Sequence, residues 1–141
     1  MKIKLDFYTE YCRNKPIDLQ FMLEEERRDL VVHSNNKNLL LLRFYSGQHY
    51  HDAMDITGST FELIVKENPT DDDTSAVLDI EVTDLSNAAE GEAEIPIDLS
   101  ASGYTDLMGN YIYELRMTTD SGRIKTLCYG TFAILQSLFK N

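Results

Sequence analysis

The chain has 141 residues, with 13 Lys or Arg against 24 Asp or Glu, a formal charge of −11, and two cysteines. That length supports one domain with its own core and no need of disulfides; no run approaches the ~18 apolar residues of a membrane span, and the charge-alternating amino terminus has no signal-peptide core. From Glu67 through Leu115 there are thirteen acidic residues and no Lys or Arg, while the first 43 residues are balanced, eight basic against seven acidic, so the chain repels phosphate backbones and is not expected to bind nucleic acid.

In chain order, Ile3, Leu5 and Phe7 lie on one face of an alternating strand over residues 2–7. Ile17, Leu19, Phe21 and Leu23 repeat the pattern after Asn14-Lys15-Pro16, as the second arm of a hairpin or as a separate strand. Residues 24–29, E-E-E-R-R-D, have no apolar stripe and read as a solvated helical turn or a protruding loop. Ser34 to Asn38 is the clearest punctuation in the chain and is expected to join an amino-terminal extension or docking arm, residues 1–37, to a main body, residues 38–141.

Leu39 to Tyr45 is apolar on both faces, as in a strand covered on both sides. Asp55-Ile56-Thr57-Gly58 turns into a half-buried strand with Phe61, Leu63 and Val65 inward, and residues 68–73 form a polar loop. Leu78, Ile80 and Val82, then Ala93, Ile95, Ile97 and Leu99, mark two further strands. Pro96 makes the second an edge strand or points its nitrogen at solvent. Residues 102–108 suggest one loose helical turn.

The longest pattern is last. Tyr111, Tyr113, Leu115 and Met117 alternate with Ile112, Glu114 and Arg116; Asp120-Ser121-Gly122 supplies a turn, and a second strand runs from Ile124 to Leu135. Gly130 within it suggests a bulge or bend. This hairpin is expected at the centre of a sheet. Seven or eight short strands between turn signals give an all-β fold, an antiparallel β-sandwich.

The succession D-I-T-G-S-T-F-E-L-I-V-K, an acidic loop, a short strand, a Gly-containing turn, a strand, and G-N-Y-I-Y-E-L-R-M-T-T-D-S-G-R … T-L … G-T-F-A-I-L resembles a known module. It is similar to the immunoglobulin-like β-sandwich of tailed-bacteriophage virion structural proteins, including the amino-terminal domain of upper baseplate proteins and fibre-anchoring or capsid-decorating domains. The likeness covers about residues 39–135. It implies that the T-G turn introduces an inner strand and that G-x-Y-x-Y opens the hairpin closing the sandwich. The chain departs from that family in two ways: no receptor-binding or trimerising region follows the module, and some 37 residues precede it. Both favour a small virion protein with its own docking arm, whose strands either join the sandwich or lie against a neighbouring subunit.

No residue set points to catalysis. His49 and His51 share a strand face with Asp52 nearby, but no third ligand has a recognised spacing, so no metal is expected. Asp71-Asp72-Asp73 lacks the alternating acidic pattern and later Glu of a calcium loop. Cys12 and Cys128 read as two reduced thiols in no redox spacing, with one long-range bridge as the alternative. Tyr45, Tyr50, Tyr104 and Tyr111 are candidates for a sugar-stacking platform or for core and interface positions. Phe7, Tyr8 and Tyr11 are the candidate interface anchors.

The resulting expectation is a non-enzymatic virion structural protein assembled in the host cytoplasm, with no cofactor. It would be a capsid auxiliary or decoration protein, or a head–tail or fibre attachment component. Its partners would be other capsid, tail or fibre subunits, or further copies of itself, with no nucleic acid and no membrane. The alternative is a tail or baseplate module that binds host-surface glycans.

Overall fold

Alternation at every second residue places one side of each long strand inward. The computed structural model describes residues 2–9, 26–46, 53–101, 103–104 and 107–138. Among these are nine strands: β1 Lys2–Thr9, β2 Glu26–Arg27, β3 Leu30–His33, β4 Lys37–Ser46, β5 Thr60–Lys66, β6 Leu78–Val82, β7 Glu92–Asp98, β8 Gly109–Thr118 and β9 Ile124–Leu135. The helical elements among the described residues are single 3-10 turns at Asp73–Ser75 and Ala88–Glu90.

The strands form two sheets, one in the order β1-β4-β7, the other β2-β9-β8-β5-β6 with β3 also on β9. Antiparallel β4 and β7 face antiparallel β5, β8 and β9, with β6 beside β5. That is the arrangement of strands B and E against C, F and G, plus C′, in an immunoglobulin-like sandwich. Leu40, Leu42 and Phe44 of β4 meet Phe61, Leu63 and Val65 of β5, Leu115 and Met117 of β8, and Phe132 and Ile134 of β9 in one core. The Phe44 and Phe61 rings join the two sheets at 5.8 Å. As expected, the β8–β9 hairpin lies inside its sheet, and Gly122 takes φ 90° at its turn. Pro96 lies on an edge strand.

The amino-terminal strands take one of the two places open to them, within the sandwich. β1 runs parallel to β4 from Lys2↔Leu39 to Thr9↔Ser46, and Leu5 and Phe7 are buried in the core. β3 runs parallel to β9, with Leu30 and Val32 buried. The boundary expected at residue 37 therefore falls inside the sheet pairing: residues 2–9 and 30–33 are strands of the sandwich. Their apolar faces need cover, and β4 and β9 each offer an edge that supplies it. A hairpin of residues 2–7 with 17–23 involves a segment outside the described residues.

Two local readings are corrected as well. Glu26 and Arg27 pair with Cys128 and Tyr129 instead of protruding, and the Arg28 guanidinium lies 4.6 Å over the Phe7 ring. The irregularity in the hairpin falls opposite Leu115/Arg116, where Leu127 is the unmatched residue, and not at Gly130, which pairs with Tyr113. Successive Leu127 and Cys128 are both buried, and only an extra residue in the ladder turns two neighbours to one side. Gly130 serves a close approach: a Cβ there would sit 2.7 Å from Asp29 Oδ1 and 2.9 Å from the Arg28 carbonyl oxygen.

Candidate interaction surfaces

Among the described residues, the chemistry-bearing side chains singled out in the sequence are not gathered into one site. Phe7 is 2 % exposed and stacks on Phe44 at 5.1 Å, so its ring belongs to the chain's own core and not to an outer surface. Tyr8 stands opposite Tyr45 in the β1–β4 ladder, with its side chain outside the described residues, as is all of Tyr11. His49, Tyr50, His51, Asp52 and Cys12 also lie outside them. Among the described residues no three His, Cys, Asp or Glu come together as metal ligands. Tyr45 is on β4 and Tyr111 on β8, in different sheets, and Tyr111 donates to the Met108 carbonyl at 2.9 Å.

The acidic loop is filled by the chain's own cation. Lys66 Nζ lies 2.6 Å from Asp73 Oδ1 and 2.8 Å from the Asp71 carbonyl oxygen, and the Asn68 N–H donates to Asp71 Oδ2 at 3.1 Å. The Lys66 hydrogen bond, then its charge, holds the Asp73 carboxyl below the ordinary range. This is a stapled turn.

Cys128 is a buried thiol 3.5 Å from the Tyr113 hydroxyl, and that hydroxyl donates to the Arg28 carbonyl. Burial raises the Tyr113 pKa most, with further contributions from Cys128. Asp29 Oδ1 accepts from the Thr131 N–H at 3.0 Å, which with the Thr131 side chain lowers the Asp29 pKa. These bonds fix the β2–β3 segment to the hairpin.

Among the described residues, two surfaces stand out. The first is the outer face of the larger sheet, where pairing sets the rows Glu81–Glu62–Arg116, Asp79–Ile64–Glu114–Tyr129 and Lys66–Ile112–Thr131. Ile64, Ile112 and Tyr129 contribute to a depression of about 410 Å³ bordered by Lys66, Glu114 and Arg116. Arg116 bonds Glu62 at 2.9 Å across the strands. Beyond it the same face carries Val31, Met108 and Leu135, each between 44 % and 47 % exposed. On its acidic side Asp79 is pushed up to about 6, first by desolvation and then by its hydrogen bond with Glu62, with the Glu62, Glu81 and Asp73 charges adding to it. An apolar centre with paired charges on its border is the anatomy of a contact surface.

The second surface is the seam where the edges of the two sheets meet, a groove of about 600 Å³ between β7 and the β6–β7 connection. Leu39, Val82, Leu85 and Pro96 give it apolar walls; Glu81, Asp84, Glu92 and Glu94 give it charge of one sign. Alternation in the sequence exposed these carboxylates but not their convergence, which arises because β6 and β7 close opposite sheets on the same side.

No protein-family model matches this chain, and a comparison with curated proteins gives no match. Among solved structures it is similar to the N-terminal domain of phage TP901-1 ORF48, at 8 % identity and TM-score 0.42 over 97 % of this chain and 99 % of that one. It is also similar to CopC from Methylosinus trichosporium OB3b, at 15 % identity and TM-score 0.38 over 83 % and 91 % of the two chains. A third similarity is to murine CRIg, at 9 % identity and TM-score 0.37 over 77 % and 92 %.

Proposed function

We propose that this chain is a non-enzymatic structural component of a tailed-phage virion, working through protein–protein contact as a capsid auxiliary or as a head–tail or fibre attachment protein. The observation that carries the contact reading is the outer face of β5, β8 and β9, where Ile64, Ile112 and Tyr129 stand among charges already paired along the sheet. Burying such a face removes apolar area from water without stripping an unpaired Arg116 or Lys66 of its hydration. The virion assignment is supported by the motif order over residues 39–135 and by an acidic surface that suits assembly around, but not onto, packaged nucleic acid.

The test is copy number by quantitative mass spectrometry of purified particles, for wild type and for Ile64→Asp with Tyr129→Asp. Wild type is expected in fixed stoichiometry, with hundreds of copies for a shell role and a few to a few dozen for tail, portal or baseplate. The double variant is expected to fold and stay out of particles. Absence of the wild-type chain from particles overturns the virion assignment, and full incorporation of the folded variant overturns the contact face.

A further inference from the structure

We propose that the groove between β6 and β7 receives a single extended segment of another protein, bearing lysine or arginine at alternate positions and adding as a strand along β7. β7 is the last strand of its sheet. The Phe44 N–H donates to the Gly91 carbonyl at 2.8 Å, which sets the phase of the ladder. Ala93, Ile95 and Ile97 thus turn their backbone groups toward β4, while Glu94, Pro96 and Asp98 turn theirs away. Among the described residues no backbone group bonds the N–H or C=O of Glu94. An unpaired ladder of this kind is a template for another strand.

The side chains choose the strand. Val82 and Leu85 on one wall, with Leu39 and Pro96 on the other, offer apolar cover for alternate residues of a guest. Glu92 and Glu94 lie along β7, and Glu81 and Asp84 face them from β6 and its following loop. Arg43 stands opposite Glu92 on β4 but is engaged by Asp6 at 2.6 Å, and no Lys or Arg lies between residues 66 and 116. An acidic or uncharged strand brings no countercharge. A second copy of this chain carries a further −11 and is repelled. Phosphate backbones are excluded for the same reason. A strand with cations on one face and apolar side chains on the other meets both walls.

Pro96 gives no N–H and the Glu92 N–H already donates to the Asn87 carbonyl at 3.1 Å, so pairing centres on the outward N–H and C=O of Glu94, among the carboxylates. Proline and charge on an edge also guard against aggregation, and the two roles part on one point: a guard turns every strand away, whereas this groove admits a cationic one. The inference rests on the contact reading above and names the chemistry of one partner. It is tested on the isolated full chain, so its failure is distinct from failure to enter particles.

The probe is a capped octapeptide alternating lysine and valine, titrated into the isotope-labelled chain at about 50 and 500 mM salt. Its companions are a glutamate–valine octapeptide, a scrambled octapeptide of the same composition, and the lysine–valine octapeptide N-methylated on alternate amides. The lysine–valine peptide is expected to bind saturably, with amide shifts confined to β6, β7 and residues 83–87, and to weaken roughly tenfold across that salt range. The glutamate, scrambled and N-methylated peptides are expected not to bind. Glu81→Gln with Glu94→Gln, both exposed positions, is expected to weaken binding roughly tenfold, about threefold for each carboxylate, with the thermal midpoint unchanged. No binding overturns the proposal. Equal binding of the N-methylated peptide does so too, because charge alone is then at work, as do shifts centred elsewhere or self-association of the chain through this groove.

Discussion

Truncating Phe7 to alanine tests whether β1 belongs to the body of the protein. The ring is 2 % exposed, stacks on Phe44 at 5.1 Å and carries the Arg28 guanidinium 4.6 Å above its centre. Removing a buried phenylalanine costs about 3–5 kcal/mol from lost transfer energy and the cavity left behind. Loss of the cation–π contact lies within that range. For 141 residues, an unfolding entropy of about 2.1 cal/mol/K per residue turns a loss of ~4 kcal/mol into a fall of roughly 13 °C in Tm. Urea unfolding followed by circular dichroism measures the loss, with Lys4→Ala, exposed on the same strand, as a control within about 0.5 kcal/mol of wild type. A Phe7→Ala chain that loses under ~1 kcal/mol would show that β1 is detachable, and the placement of residues 2–9 in the core would be wrong.

Gly130→Ala presses a methyl against Asp29 and the Arg28 carbonyl at a backbone φ of 155°. It is expected to cost about 1–3 kcal/mol in denaturant unfolding, and a neutral result would mean the β2–β3 segment does not lie where it is described. Tyr113→Phe deletes the hydrogen bond to that carbonyl and should cost about 1–2 kcal/mol; amide exchange should quicken selectively over residues 28–33, and an unchanged exchange pattern would refute the tie. Asp79 has a folded pKa of about 6 against 3.8, so its contribution favours the fold below pH 4 and is lost as pH rises through 6. Asp79→Asn should therefore raise Tm by about 1–2 °C at pH 7.5 and leave it unchanged at pH 4, after allowing for solvent screening; an equal gain at both would rule out ionisation as the cause. Because Lys66 Nζ already holds Asp73 and the Asp71 carbonyl, millimolar calcium should not move Tm. A calcium-dependent rise would contradict the stapled-turn assignment.

Elements whose information is local were legible in the sequence. Phe61, Leu63 and Val65, or Ala93, Ile95 and Ile97, alternate so cleanly that both strand and buried face follow from period two, and each set is buried as read. Pro96 announced an edge and Gly122 a turn because each residue restricts or frees its own backbone. Partner choice is a different kind of information. Alternation of Leu5 with Phe7 says that a face is buried but not against what, so the parallel pairing with β4 could not be read. Residues 26–29 carry no apolar stripe because they are held by backbone pairing and by single contacts from Arg28 and Asp29, which leave no period. Leu127 and Cys128 did leave a trace, two apolar neighbours breaking the alternation at the ladder's irregularity. The seam groove was invisible for the same reason as the pairings: Glu81 and Glu94 become neighbours of one cavity only when two sheets are laid together.

The parallel union of β3 with β9 joins Leu30 to Phe132 and His33 to Leu135. On a ribosome, residues 30–33 emerge early and then wait while some hundred more are made. Their apolar sides stay uncovered until the final strand arrives. Closing so wide a loop is slow in chain-entropy terms, and once closed it works as a clasp, since β9 cannot leave this edge of its sheet without tearing late-made chain from early-made chain. Shortening the chain inside β9 should therefore loosen residues near 30 as much as those near 120, a reciprocity that limited proteolysis of nested truncations would expose.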